Sequence, residues 1–158
     1  MLDRRKNYQI IHLTDDDIEL AFTHGNQMNE DYLTYVNGQH TSQGGTHLAV
    51  FKEAYVRTIR DHFKKNYVPS DIRMSLVAAL SIKIQNPIFE SQTKTKLGSN
   101  NIEDGGITVR AFIMDFIKDK LDAYLHKNPN VAKVLQKKII QSEKDRKDFE
   151  VIKKLSKK

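Results

Sequence analysis

A chain of 158 residues with 39% apolar and 29% charged side chains can bury one core, not two ordinary ones, and is too apolar for a disordered segment. Having no cysteine excludes disulfides and cysteine-based zinc sites; with no apolar run near ~18 residues and no secretory signal at Met1-Leu2-Asp3-Arg4-Arg5-Lys6, a cytoplasmic location is the expectation. The net charge of +6 is concentrated in the tail: from Lys133 onward ten Lys or Arg face four Asp or Glu, leaving sixteen of each in the preceding body, which argues against a body that binds nucleic acid on charge alone.

Residues 8–13 and 18–23 predict two strands, the first from Tyr8, Ile10 and Leu13, the second from the alternation of Ile18, Leu20 and Phe22. Asp15-Asp16-Asp17 between them reads as a solvated hairpin turn, since the six-ligand spacing of a calcium loop is absent. A third strand is expected over residues 32–36, rich in Tyr and Val, followed by a polar loop from Asn37-Gly38 to Gly44-Gly45. The paired glycines permit a tight turn or a close backbone approach, and Thr46 is a fair cap for the next helix.

That helix carries Leu48, Phe51, Tyr55, Ile59 and Phe63 at spacings of three and four, one apolar stripe. Lys52, Arg57, Arg60 and Lys64 fall largely off the stripe, and Glu53 can pair with Arg57 at i+4. Pro69-Ser70-Asp71 opens a short helix over residues 71–75, with Ser70 as cap. Residues 76–84 are apolar on both faces at first and then alternate, which predicts a buried central strand.

This strand feeds Gln92-Thr93-Lys94-Thr95-Lys96-Leu97-Gly98. If extended, the stretch sets Gln92, Lys94 and Lys96 along one edge, an amide and two ammonium groups suited to phosphate oxygens. A solvated polar hairpin fits the same composition. Beyond Asp104-Gly105-Gly106, an amphipathic helix carries Val109, Ile113, Phe116, Ile117, Leu121 and Tyr124. Asn128-Pro129 then caps a last helix, apolar at Val131, Val134, Leu135, Ile139 and Ile140 and polar throughout residues 141–148. A helix with such a gap leaves its own core for about two turns. The six histidines include no i, i+4 pair, no nucleophile elbow is present, and no metal ligands are assigned.

Tyr35-Val36-Asn37, Gly44-Gly45-Thr46-His47 with Phe51-Lys52, and Pro87-Ile88-Phe89 running into residues 92–98 together resemble the B subunits of bacterial type II topoisomerases, with a leaning to topoisomerase IV over gyrase. The resemblance covers nearly the whole chain. It implies a transducer: an α+β two-layer domain over residues 1–158, with a ribosomal-protein-like left-handed β-α-β unit, a mixed sheet and helices on one face. The first elements are then clipped, and residues 129–158 form a long lysine-rich helix leading to a cleavage domain outside this chain. It implies that Gln92 and Lys94 touch the γ-phosphate of ATP bound in the neighbouring ATPase domain, with Lys94 catalytic, and that Arg57 faces DNA. ATP and Mg2+ are the cofactors implied for the whole enzyme, an ATP-hydrolysing isomerase, with the Mg2+ ligands elsewhere and the isolated piece inactive. The implied partners are DNA, the ATPase and cleavage domains, the topoisomerase A subunit and a second B subunit, without a membrane. A free-standing nucleic-acid-binding module of the same fold is the alternative.

Overall fold

The computed structural model describes residues 10–90, 92–103 and 105–156. Strands β1 (Ile11–Asp15) and β2 (Ile18–His24) form the expected hairpin around Asp16-Asp17, with Ile11 opposite Phe22 and Leu13 opposite Leu20. Tyr8, expected in the first strand, lies outside the described residues. Strand β3 (Asp31–Val36) then reverses at Asn37-Gly38, both at positive φ (51° and 82°), into the two-residue β4 (Gln39–His40). Polar composition predicts a loop there, but Asn-Gly with two left-handed centres is the tight hairpin turn that matches strand twist.

β5 (Leu76–Ile82) is the middle of a five-stranded mixed sheet ordered β1-β2-β5-β3-β4, antiparallel to β2 and parallel to β3. Leu80 sits beside Leu20 on one side and Thr34 on the other. In β2 and β5 alike every second residue is buried, while Glu19 and Val77 are exposed. One face of the sheet therefore carries the core, and the helices cover it.

Helices α1 (Thr46–Phe63) and α2 (Pro69–Arg73) occupy the crossover from β3 to β5, and α3 (Val109–Lys127) packs along α1. The predicted stripe is borne out: Phe51, Tyr55 and Ile59 are fully buried, with Phe22 edge-on to Tyr55 at 5.6 Å and Tyr32 edge-on to Phe51 at 6.2 Å. Each such side chain contributes about 1.5–3 kcal/mol by leaving water. The caps differ from expectation. Gly45 takes the N-cap position of α1, and Val68 that of α2, which starts at Pro69 rather than Asp71. Thr108 caps α3 instead, its Oγ1 accepting from the Ala111 N–H at 3.0 Å.

α4 (Pro129–Ser156) follows α3 after Asn128 alone. The Asn128 side chain serves the end of α3, donating to the Tyr124 carbonyl at 2.9 Å, so it does not cap α4 as its position predicts. The polar stretch of α4 is also docked where composition predicts departure. Buried Asp71 of α2 accepts from Ser142 Oγ at 3.0 Å and from Arg146 Nη2 at 3.1 Å. Past Arg146, Phe149, Val151, Ile152 and Leu155 are exposed. Among the described residues no helix is long and apolar enough to cross a membrane.

Candidate functional site

The loop after β5 starts from a side chain that imitates a strand. Asn37 at the end of β3 holds Ile84 with its amide, Nδ2 donating to the Ile84 carbonyl at 2.9 Å and Oδ1 accepting its N–H at 2.8 Å. Further on the chain closes on itself. The Gly98 and Ser99 amides both donate to the Ile88 carbonyl, at 2.8 and 3.1 Å, and the Glu90 amide donates to the Lys96 carbonyl at 2.9 Å. The Ile88 amide donates to Ser99 Oγ at 2.6 Å.

Leu97, fully buried, joins this loop to α1. Its N–H donates to the Gly44 carbonyl at 2.9 Å, its carbonyl accepts the Thr46 N–H at 3.0 Å, and the Gln43 N–H donates to the Thr95 carbonyl at 2.8 Å. Gly45 has φ 123°, and a Cβ there would lie 2.2 Å from the Leu97 carbonyl oxygen and 2.4 Å from its nitrogen. Only glycine allows that backbone conformation and that approach. The glycine pair and the Gln-Thr-Lys stretch, remote in sequence, are thus one structure at the first turn of α1.

His47 lies beneath this junction, fully buried. The Thr34 and Thr41 hydroxyls each donate to the other residue's carbonyl, at 3.0 and 2.9 Å, and His47 Nε2 lies 3.0 Å from Thr41 Oγ1. The two hydroxyls also lie 2.7 Å apart, so His47 closes a buried hydroxyl–imidazole network. Burial pushes the ring's pKa down to about 4, so His47 is neutral and positions the turn rather than transferring protons.

The tip does not run extended. Gln92 and Thr93 form a turn and Lys94 sits at φ 58°, in the left-handed region. The alternation that would align Gln92, Lys94 and Lys96 on one edge therefore fails. Lys96 instead folds back to Glu90 at 3.0 Å. Gln92 and Lys94 remain exposed, and neither side chain has a partner among the described residues. One ammonium and one neutral amide at a loop tip fit a terminal phosphate. Residues 92–98 contain no carboxylate, so they do not fit as Mg2+ ligands.

Arg57 belongs elsewhere. Eleven residues of helix set it about 16 Å along the axis from Thr46. It is exposed and only 3.8 Å from Glu53, whose better partner is Arg110 of α3, with Nη2 at 2.7 Å from Oε1. Arg57 lines a groove of about 900 Å³ with Lys52, Arg60, Lys64, Lys65 and Arg73, against Glu53 and Asp61. The balanced charge of the body hides this concentration on one face, which Lys52, Arg57, Arg60 and Lys64 signal by falling off the apolar stripe. Lys65 and Arg73 carry no such signal, because the turn after α1 and helix α2 bring them in.

A mixed sheet covered by helices on one face, with the loop after its central strand hung from the first crossover helix, is the α+β architecture of gyrase B ATPase-region structures. The chain resembles the crystal structure of the 43K ATPase domain of Thermus thermophilus gyrase B in complex with an aminocoumarin, with a TM-score of 0.76 and 27% identity, covering 93% of this chain and 40% of that one. The chain belongs to the DNA gyrase B family, whose model matches residues 3–154. It is 42% identical over 147 residues to the B subunit of DNA topoisomerase 4 from Borreliella burgdorferi, and 37% identical over 135 residues to the B subunit of DNA gyrase from Clostridium acetobutylicum. These matches cover 93% and 79% of this chain but only 23% and 20% of the two relatives.

Proposed function

We propose that this chain is the transducer of an ATP-dependent type II DNA topoisomerase B subunit, a cytoplasmic, DNA-associated isomerase. The observation that carries the reading is the loop tip: Gln92 and Lys94 exposed, without side-chain partners among the described residues, on a base clamped to α1 through Leu97. Lys94 sets its ammonium against a γ-phosphate oxygen of ATP held in the neighbouring ATPase domain, and Gln92 donates beside it. A fixed cation meets the charge that develops in phosphoryl transfer, in a site partly cleared of water, where such contacts are strongest. Residues outside this loop would hold Mg2+, which would supply neutralisation of phosphate charge.

Coupling follows from the attachment. A displaced tip pulls on residues 95–97, and these are bonded to the turn that starts α1. α1 in turn presents Arg57 and its basic neighbours to DNA, and α4 leads toward the cleavage domain. A second B subunit and the topoisomerase A subunit complete the assembly. Family membership across residues 3–154 leaves the free-standing nucleic-acid-binding module without support.

The test is Lys94→Ala in the parent enzyme, with ATP turnover and nucleotide affinity measured side by side. Turnover falls on the order of a hundred-fold or more, as for loss of one preorganised donor, while affinity changes little. Near-normal turnover would make Lys94 an ordinary surface lysine.

A further inference from the structure

Away from the loop and the groove, two helices bring three metal-ligating side chains together. His62 comes from the last turn of α1, and Asp122 and His126 from the end of α3. At i, i+4 the latter two share one helix face. His62 Nδ1 lies 3.0 Å from Asp122 Oδ1, His126 Nδ1 lies 3.5 Å from Asp122 Oδ2, and the two imidazole rings are 4.7 Å apart, edge to face. One ligand atom from each residue falls within 4.8 Å of the other two.

We propose that His62, Asp122 and His126 form a divalent transition-metal site of the zinc class, clasping the end of α1 to the end of α3. Ligands about 2.0–2.1 Å from a tetrahedral zinc ion stand about 3.3 Å from one another, close to the 3.0 Å between His62 Nδ1 and Asp122 Oδ1, and His126 stands near enough to bring its ring in. Two imidazoles and one carboxylate select zinc, cobalt, nickel or copper over magnesium and calcium, which take oxygen ligands alone. His62 is largely covered and held edge-on by Phe63 at 4.9 Å, whereas Asp122 and His126 open to solvent. The covered ligand fixes the site and the open side admits the ion, with water at the fourth position. His126 Nδ1 is also 2.8 Å from the Asp122 carbonyl oxygen. An N–H donated there orients the ring and leaves Nε2 for the metal, the supporting bond that ligating histidines commonly make.

Such a site escapes a search for paired histidines because its ligands are split between helices. Only the Asp122–His126 spacing lies on one element, and an exposed acid and histidine at i, i+4 are commonplace. The inference stands apart from the transducer reading, since it concerns the far end of α1 and needs no nucleotide.

The experiment is a Co2+ titration of the 158-residue chain followed by Zn2+ competition and thermal melts. The expected result is one Co2+ per chain with the visible absorption of a four-coordinate ion, displaced by Zn2+, and a melting temperature that rises with Zn2+ and not with Mg2+. His126→Ala, at an exposed position that the fold tolerates, weakens binding by more than about tenfold, on the scale of lost metal-site partners. Asp122→Asn does the same, while His12→Ala, at an exposed histidine on β1, leaves it unchanged. Absence of a one-to-one complex at millimolar Co2+ overturns the proposal. So does binding that survives His126→Ala intact or is lost equally in His12→Ala.

Discussion

Replacing Gly45 by alanine tests whether the loop and α1 are one structure. The new Cβ would sit 2.2 Å from the Leu97 carbonyl oxygen and must retreat to at least 3.4 Å for an ordinary contact. The conformation of Gly45, φ 123° and ψ −156°, belongs to a region that only glycine populates readily, and holding alanine there costs about 1–3 kcal/mol. The retreat breaks the bonds from the Leu97 N–H to Gly44 and from the Thr46 N–H to Leu97. Each contributes about 0.5–1.5 kcal/mol net. Together the loss is about 2–6 kcal/mol, a large share of the ~5–15 kcal/mol that holds a domain folded. Urea denaturation of the chain measures the total, and hydrogen exchange at the Leu97 and Thr46 amides shows whether the loop lets go first. Gly38→Ala is the control, with φ 82° and nothing within 4 Å of its Cβ, and it costs only about 1–2 kcal/mol of left-handed strain. If Gly45→Ala is no more harmful than Gly38→Ala, and the Leu97 amide stays protected, the junction does not hold the loop.

Acid should weaken the fold through two buried histidines. Burial lowers His24 and His47 to about 4 from 6.5, with Lys138 adding to the effect at His24. The unfolded chain therefore takes up protons that the native one refuses; stability is full above pH 6.5 and falls on the order of 3 kcal/mol per histidine as pH drops to 4. A urea midpoint flat between pH 7 and 5 would refute this. Binding of the chain to duplex DNA should be sequence-independent and salt-steep, and Arg57→Glu should lower the slope of log affinity against log salt by about 1 or more. Lys153→Gln with Lys154→Gln should lower it comparably; a slope untouched by Arg57→Glu would leave all binding to the C-terminal lysines.

The readable parts of the fold were those written at short range. Alternation exposed β2 and β5, and spacings of three and four exposed α1 and α3, because each pattern reports one element against one core. β4 escaped because two residues make no pattern, although Asn37-Gly38 carried its turn. Gln92 and Lys94 stood out as groups suited to phosphate and Arg57 stood out through the resemblance, yet the geometry of the tip was not legible. Nothing in Thr93-Lys94-Thr95 announces a left-handed lysine, and Lys96 found its partner in Glu90 across the loop. The docking of α4 was hidden for a related reason. Asp71, Ser142 and Arg146 each look like solvent residues, and only the packing of α2 against α4 buries Asp71 and Ser142 and lays Arg146 over them.

The Asp71–Arg146 ion pair makes a lever of the last helix. α4 runs 28 residues from Pro129 to Ser156, about 42 Å at 1.5 Å per residue, and Arg146 to Ser156 alone spans about 15 Å. The pivot lies on α2, in the same crossover whose first helix, α1, is bonded at its start to the Gln-Thr-Lys loop. A tilt of about ten degrees about Arg146 would carry the far end through roughly 2.6 Å on a helix rising 1.5 Å per residue, enough to break any hydrogen bond made there. A stiff arm needs no conformational change of its own to do this. Small rotations near the sheet thus arrive at its tip enlarged, and an attached body receives them as displacement.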